Sequence, residues 1–292
     1  MRLIDLVNDA TDRLASDIHI VGTPIVYRID GELKQVDDKV LTPNITKTLV
    51  YEALNDYSIK QLEEYGEVDT SFSSPGIGRY RINAFKQRGS YGMVLRIIPL
   101  EIPKLESLGL PEVIKDLAGL RRGLILVTGP TGSGKSTTLA SIIDKINKER
   151  NCHILTLEDP IEYLHKHNKS IVNQREVGND TKSFSAALRA ALRQDPDVIL
   201  VGEMRDLETI SIALTAAETG HLVLSTLHTS GAAKTIDRII DVFPPHQQQQ
   251  VRVQLSSVIQ GVISQQLLPR SQDNGRVAAF EVMVATPAIR NL

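Results

Sequence analysis

The sequence is poor in cysteine, since its 292 residues include only Cys152. A single thiol excludes an intrachain disulfide framework and any zinc site built from several thiolates, and it fits a reducing cytoplasm. Apolar runs long enough to span a bilayer, about 18 residues or more, are missing as well. The charged N-terminal segment lacks the apolar core of a signal peptide. We therefore expect a cytoplasmic protein that meets a membrane only peripherally.

An excess of positive charge is absent too, because the formal net charge is -2 at pH 7. This balance disfavours a protein whose main task is to coat DNA or an anionic membrane, since phosphate groups attract a counter-charge. A local basic patch stays compatible with the composition. We expect no nucleic-acid partner.

Short helical and extended patterns fill the first third of the chain. Apolar residues recur at helical spacing over residues 3–15 and predict an amphipathic helix. Asp30-Gly31 and Gln87-Arg88-Gly89 each separate two extended runs, which predicts two hairpins, and residues 44–64 are predicted to be helical. Together these elements predict a small α+β domain over residues 1–98.

A change of pattern follows residues 99–112, a proline-containing segment that predicts a linker or hinge. The short apolar runs LILVTG, CHILTLED and DVILVGE then alternate with helical segments, as buried strands of a parallel sheet do. They predict an α/β domain over residues 113–292. Within it, SFSAALRAALRQ predicts a helix over 183–194 that begins at a capping serine and carries Arg189 and Arg193 on one face.

The most specific motif is GPTGSGKS, which lies between the apolar run LILVT and the helical pattern TLASIIDKI. Strand, glycine-rich loop and helix occur in the order that a P-loop requires. Backbone N–H groups and the helix N-terminus then surround phosphate oxygens, the lysine reaches the outer phosphates, and the serine can hold Mg²⁺. We therefore expect a nucleoside triphosphate and Mg²⁺ as ligands. The residues expected at this site are Gly129, Thr131, Gly132, Ser133, Gly134, Lys135, Ser136 and Thr137.

Acidic residues follow two other apolar runs, at the strand ends where open α/β sheets bind ligands. DVILVGEMRD places Glu203 as a Walker-B-like carboxylate for Mg²⁺, and LTLEDPIEY places Glu158, Asp159 and Glu162. A carboxylate that positions the attacking water must lie near the γ-phosphate without binding the metal, a role that suits Glu162 better than Glu203. Glu158 and Asp159 are equally well explained as solvated strand-end carboxylates.

Two histidines bracket the apolar run of TGHLVLSTLHTSG. In one continuous strand, His221 and His228 would point to opposite faces about 23 Å apart, at about 3.3 Å per residue, which excludes a shared metal ion. His228 lies at the end where the other candidates gather, and we expect it to sense the γ-phosphate. We expect His221 to be structural or interfacial.

The motifs GPTGSGKST, TLEDPIEY, RAALRQDPDVILVGEMRD and TGHLVLSTLHT occur together, after ASDIHI and RYRINAF. In this combination the chain resembles the secretion and type IV pilus ATPase superfamily, and most of all its PilT-type pilus retraction ATPases. Three features favour that branch: no long additional N-terminal domain, no tetracysteine zinc element between Leu267 and Glu281, and the closing ATPAIRNL. Because the family continues beyond that last motif, we expect the chain to be truncated at Leu292.

The resemblance implies a RecA-like ATPase core preceded by a PAS-like α+β domain, in a hexamer that binds ATP between the two domains. It implies that Arg81 and Arg96 reach the nucleotide phosphates and that Arg189 and Arg193 form a further basic pair. An arginine fork can neutralise charge on a transferring phosphoryl group. Without the resemblance, Arg81 is better explained as a polar residue on a half-exposed strand. The family's histidine motif also includes His221.

As a function, the resemblance implies that ATP hydrolysis drives pilus retraction and twitching motility. It further implies an inner-membrane platform protein as partner, at the base of the pilus. Three alternatives stay open: an extension or secretion ATPase, a nucleotide-regulated binding module, and a DNA-translocating ring. The missing cysteine cluster disfavours an extension or secretion ATPase, and the acidic and histidine candidates disfavour a binding module. The charge balance disfavours a DNA-translocating ring.

Overall fold

The computed structural model describes residues 2–74, 78–98, 101–271 and 276–291. The chain divides into two compact units, Met1–Leu100 and Glu101–Leu292, each with its own sheet and hydrophobic core. Within the described ranges, no helix combines the length and apolarity needed to cross a membrane.

The first unit is an antiparallel sheet of six strands in the order β3-β2-β1-β6-β5-β4, packed against helices. Both predicted hairpins are present, and in each the two turn residues have positive φ, as a tight right-twisted hairpin requires. The elements of this unit are α1 (Leu3–Asp12), β1 (Asp17–Ile20), β2 (Val26–Ile29), β3 (Glu32–Gln35), α2 (Pro43–Ala53), α3 (Asp56–Tyr65), β4 (Glu67–Ser74), β5 (Gly78–Gln87) and β6 (Ser90–Ile98).

Both helical segments predicted in this unit are present, but the first is shorter than predicted and the second is interrupted. Helix α1 ends at Asp12, because Leu14 adopts a left-handed conformation and the N–H of Ala15 reaches back to the carbonyl of Ala10, as in a Schellman motif. Leu14 is consequently 85% exposed. The helical stretch predicted over 44–64 is two helices, since the side chain of Asn55 caps the second one through the N–H of Ser58, at 2.8 Å.

The second unit is a sheet of seven strands in the order β13-β12-β7-β11-β10-β8-β9. All neighbouring strands are parallel except the β12–β13 pair. Its elements are a 3₁₀ turn (Leu105–Leu108), α4 (Glu112–Ala118), β7 (Gly123–Thr128), α5 (Lys135–Glu149), β8 (His153–Glu158), β9 (Ile171–Glu176), α6 (Phe184–Ala191), β10 (Val198–Val201), α7 (Leu207–Glu218), β11 (Leu222–Leu227), α8 (Ala232–Asp241), α9 (Pro245–Val258), β12 (Ile259–Pro269), β13 (Arg276–Val284) and α10 (Pro287–Arg290).

Helices cover both faces of this sheet, which explains why β7, β10 and β11 are buried at every position. Alternate residues of β7 enter two different cores: Leu124 and Leu126 pack with α6 to α9, whereas Ile125 and Val127 pack with α4 and α5. The α/β class with a parallel-rich sheet and the α+β first unit are therefore confirmed.

The expected linker, residues 99–112, begins with two residues outside the described ranges. From Glu101 onward it is counted with the second unit. Leu105 is buried in that unit's core, and the hydroxyl of Ser141 donates to the carbonyl of Pro103 at 2.7 Å. A hinge in this segment stays a prediction.

The helix predicted over 183–194 begins at Ser183, which accepts the N–H of Ala186, but it ends at Ala191. The prediction was therefore wrong at the C-terminal end. Asp195 precedes a proline, which disfavours the helical conformation, and the preceding residues close in short turns. Arg193 consequently lies in the turn after the helix, so it does not continue the helical face of Arg189.

Candidate active site

The predicted phosphate-binding loop connects β7 to α5. Lys135 is the first residue of the helix and follows Gly134, which has φ 88°. A Cβ at Gly129 would overlap the carbonyl oxygen of Gln265, so a side chain does not fit there, and Gly132 has a left-handed φ of 75°. The loop thus closes directly over a helix N-terminus, where free N–H groups and the helix dipole favour an anion.

Lys135 lies inside this loop and is 8% exposed. Its Nζ donates to the carbonyl oxygens of Gly129 at 2.9 Å and Pro130 at 3.0 Å. Burial lowers the pKa of Lys135, while the negative charges of Glu203 and Glu162 act in the opposite direction. Both carboxylates therefore lie within electrostatic reach of the lysine, although the sequence separates all three.

The order of the strands explains this convergence. β7, β11, β10 and β8 are parallel neighbours, so their carboxyl ends share one edge of the sheet. The phosphate loop follows β7, His228 follows β11, Glu203 follows β10, and Glu158 ends β8. The Oε1 of Glu203 lies 3.2 Å from the Nε2 of His228 and also pairs with Arg205. Two groups predicted separately, one for the metal and one for the γ-phosphate, are in direct contact.

Glu158 is not a solvated strand-end carboxylate. It accepts hydrogen bonds from Thr156 Oγ1 at 2.6 Å and Gln174 Nε2 at 3.0 Å. Burial raises its pKa, and these two donors act in the opposite direction. Asp159, in contrast, is exposed.

The segment that carries Glu162 is fixed from two sides. The N–H of Ile161 donates to Glu176 Oε2 at 3.0 Å, and Glu176, at the end of β9, is 2% exposed. On the other side, the hydroxyl groups of Tyr163 and Thr137 form a hydrogen bond of 2.9 Å. The half-buried Glu162 thus lies between two anchored residues, beside the first turn of α5.

Neither histidine belongs to β11, so the argument from alternating strand faces does not apply to them. They flank the strand at its opposite ends. His221 Nδ1 lies 2.8 Å from the carbonyl oxygen of Ala216 and 3.2 Å from Thr219 Oγ1. Within the described ranges, no group of three or more histidine, cysteine, aspartate or glutamate side chains is arranged to hold a metal ion. His221 thus closes the end of α7, whereas His228 lies among the candidate site residues.

Arg81 and Arg96 lie in the first unit, directly opposite each other on β5 and β6. Like charges in this position repel, which is a cost unless a counter-charge is present. The buried Asp17 supplies one: its Oδ1 lies 2.9 Å from Arg96 Nε, and its Oδ2 lies 3.9 Å from Arg28 Nε. Arg96 and Arg28 thus pair with one buried carboxylate, and Arg81 lies opposite Arg96 on the next strand.

Arg189 and Arg193, the predicted basic pair, lie in different elements, one in α6 and the other in the turn that follows it. Arg189 forms a salt bridge with Glu208 of α7, and Arg193 is exposed in the turn after α6. A further role of either arginine at a nucleotide stays a prediction.

Comparison with known proteins identifies the family. Residues 1–290 match the family model described as Type II/IV secretion system protein. The chain belongs to this family. It is 53% identical to the type IV pilus retractation ATPase PilT of Pseudomonas aeruginosa, over 100% of this chain and 85% of that protein. A twitching motility protein of Neisseria gonorrhoeae is 50% identical over 92% of this chain and 72% of its own length.

Solved structures agree with this assignment. The pilus retraction motor PilT with bound ADP is 56% identical, with a TM-score of 0.95 over 100% of this chain and 85% of that one. The ATPase DotB of Legionella pneumophila is 34% identical, with a TM-score of 0.89 over 100% of this chain and 83% of that one. This member of the secretion ATPase family is accordingly a nucleotide-using ATP hydrolase.

Two residues that hold the site of this secretion ATPase were missed in the sequence. Glu176 and Gln174 lie on β9, in the run NQRE, which has neither an alternating pattern nor a recognised motif. The one available signal was the strongly polar character of a segment placed between Val172 and Val177. Such a run is typical of an exposed strand, and only the fold shows that Glu176 is buried.

Proposed function

We propose that the protein is a motor ATPase that couples ATP hydrolysis to retraction of type IV pili, as a hexamer that acts peripherally at the inner-membrane base of the pilus. The observation that carries the proposal is the convergence of the phosphate loop, Glu162, Glu203 and His228 at one edge of a parallel sheet. The names of two similar proteins, a retractation ATPase and a twitching motility protein, support the direction of the movement. An inner-membrane platform protein is the proposed partner.

In the proposed site, the loop N–H groups and Lys135 bind the phosphates, and Glu162 orients the attacking water and accepts its proton. His228, in contact with Glu203, reports the presence of the γ-phosphate. The arginine face of the first unit, Arg81 and Arg96, supplies positive charge for the phosphoryl group.

The residues at this edge also fit Mg²⁺, a hard cation that prefers oxygen ligands. Ser136 and Glu203 would hold it, one on the first turn of α5 and the other after β10. The hydroxyl groups of Thr128 and Ser133 are buried without a hydrogen-bond partner, which marks the same region as a polar site. When bound, Mg²⁺ neutralises charge on phosphate oxygens.

Two experiments test the proposal. Purified protein is expected to hydrolyse ATP at steady state, and Glu162→Ala is expected to bind ADP but to lose turnover. Binding of nucleotide without turnover in the unmodified protein would instead identify a nucleotide-controlled switch. In the host cell, deletion of the gene should abolish twitching and leave surface pili in excess, whereas loss of pili would identify an extension motor.

A further inference from the structure

Gln265 of β12 is buried against the phosphate loop, although 132 positions in the sequence separate it from Ser133 of that loop. The pairing of β12 with β7 sets Ser264 beside Thr128, the last residue of β7, and thus sets Gln265 beside the start of the loop. Its side chain is 3% exposed. A buried amide on this strand is unexpected, because β12 otherwise presents mainly apolar residues to the core.

Both polar atoms of the Gln265 side-chain amide form hydrogen bonds. Nε2 donates to the carbonyl oxygen of Ser133 at 2.6 Å, and Oε1 accepts from the hydroxyl of Thr138 at 2.8 Å. Ser133 lies in the loop, and Thr138 lies one turn into α5. The amide therefore bridges the junction at which the loop becomes helix.

Gln265 lies close to glycines at both ends of the phosphate loop. The carbonyl oxygen of Gln265 occupies the place that a side chain on Gly129 would need, at the first position of the loop. A Cβ on Gly134, at its last position, would lie 3.1 Å from Gln265 Nε2. The two glycines thus allow β12 to approach both ends of the loop.

We propose that Gln265 is a positioning residue of the ATPase, which fixes the path of the phosphate loop so that its N–H groups converge on the phosphates. It does not itself touch the nucleotide. The proposal rests on the nucleotide site described above. Its loss should weaken nucleotide binding more than it slows turnover at saturating ATP, because the residues that act on the attacking water are held by other contacts.

The test compares Gln265→Leu with Gln266→Ala, a control on the adjacent, exposed residue of the same strand. Affinity for a fluorescent ADP analogue and the KM and kcat for ATP are measured on the full chain. For Gln265→Leu we expect the Kd to rise about tenfold or more, which corresponds to about 1.4 kcal/mol, with kcat nearly unchanged. The control should bind like the unmodified protein.

Two further variants separate positioning from simple stability. Thr138→Val removes the hydrogen bond to Gln265 Oε1 and leaves the one to Ser133. In the double variant, its effect on the Kd should not add to that of Gln265→Leu, because Gln265→Leu already removes that bond. In Gln265→Glu the carboxylate cannot donate to Ser133, whereas its protonated form can, so ADP affinity should recover relative to the unmodified protein as the pH falls. The melting temperature of Gln265→Glu is measured at each pH, and recovery of affinity over a range in which the variant stays fully folded separates positioning from a folding defect.

The outcomes are distinct. Normal ADP affinity in folded Gln265→Leu, or an equal loss in Gln266→Ala, overturns the proposal. If Gln265→Leu does not fold, the other two variants decide whether the proposal holds. It is overturned if Thr138→Val binds ADP normally and the ADP affinity of Gln265→Glu does not change with pH. Failure of the unmodified protein to bind ADP would contradict the proposed function instead.

Discussion

The contact between Glu176 and Ile161 offers a sharp test of how the segment that carries Glu162 is held. Glu176→Ala removes a buried acceptor, which breaks its hydrogen bonds with the N–H of Ile161, at 3.0 Å, and with the side chain of Asn179. A hydrogen bond to a carboxylate contributes about 1.5–3 kcal/mol. Because the bonded segment carries Glu162, we expect kcat for ATP to fall by a factor of up to about 10 to 150 when that energy no longer holds Glu162 in position, since about 1.4 kcal/mol corresponds to tenfold.

The KM for ATP should change little in this variant, because the phosphate loop has contacts of its own. The melting temperature should also fall, by about 2–4 °C per kcal/mol for a domain of this size. The assay is steady-state hydrolysis well below the melting temperature. Asn179→Ala, which leaves the bond to Ile161 intact, is the matched control and should retain most of the turnover. Unchanged kcat in folded Glu176→Ala would refute the reasoning.

Three other predictions follow from the described contacts. Lys135→Ala should abolish measurable nucleotide binding, whereas Lys148→Ala, on the exposed side of the same helix, should bind ADP normally; comparable binding by both would contradict the assignment. Arg81→Ala should retain ADP binding but lose most of its turnover, and a normal ATPase rate would remove Arg81 from the mechanism. Hydrogen bonds from Lys86 and two tyrosines lower the pKa of Glu63 to about 2. As the pH falls, Glu63 is therefore protonated in the unfolded chain before it is protonated in the folded one. The stability that its hydrogen bonds contribute is lost as the pH falls from about 4.5 towards 2. In Glu63→Gln the urea concentration at the unfolding midpoint should fall less steeply as the pH is lowered. A pH profile identical to that of the unmodified protein would contradict this prediction.

Local patterns predicted much of this structure because they depend on near neighbours in the chain. The two hairpins were predictable from turn residues that accept positive φ, and the P-loop from glycines between an apolar run and a helix. Helix ends were less predictable. Leu14 continues the apolar spacing of α1, yet a C-terminal cap places it in solvent. A periodic pattern cannot show where the backbone turns.

The candidate site was predictable as a set of residues but not as an arrangement. Strand-end positions predicted which edge of the sheet Glu203, Glu162 and His228 would share. That Glu203 contacts His228 depends on the order of β10 and β11 in the sheet. The hydrogen bond that Glu158 accepts from Gln174 depends on the pairing of β8 with β9. These contacts join distant segments, so no local pattern contains them.

The sequence by itself determined the chemistry of this secretion ATPase. A glycine-rich loop before a lysine and a serine, followed by carboxylates after apolar runs, specifies a phosphate site whatever surrounds it. The tertiary structure alone decided which distant side chains contact these segments, with Gln265 bonded to the phosphate loop and Glu176 bonded to Ile161, next to Glu162. The physical reason is that a polar group becomes buried and indispensable only when the sheet has brought its partner to it.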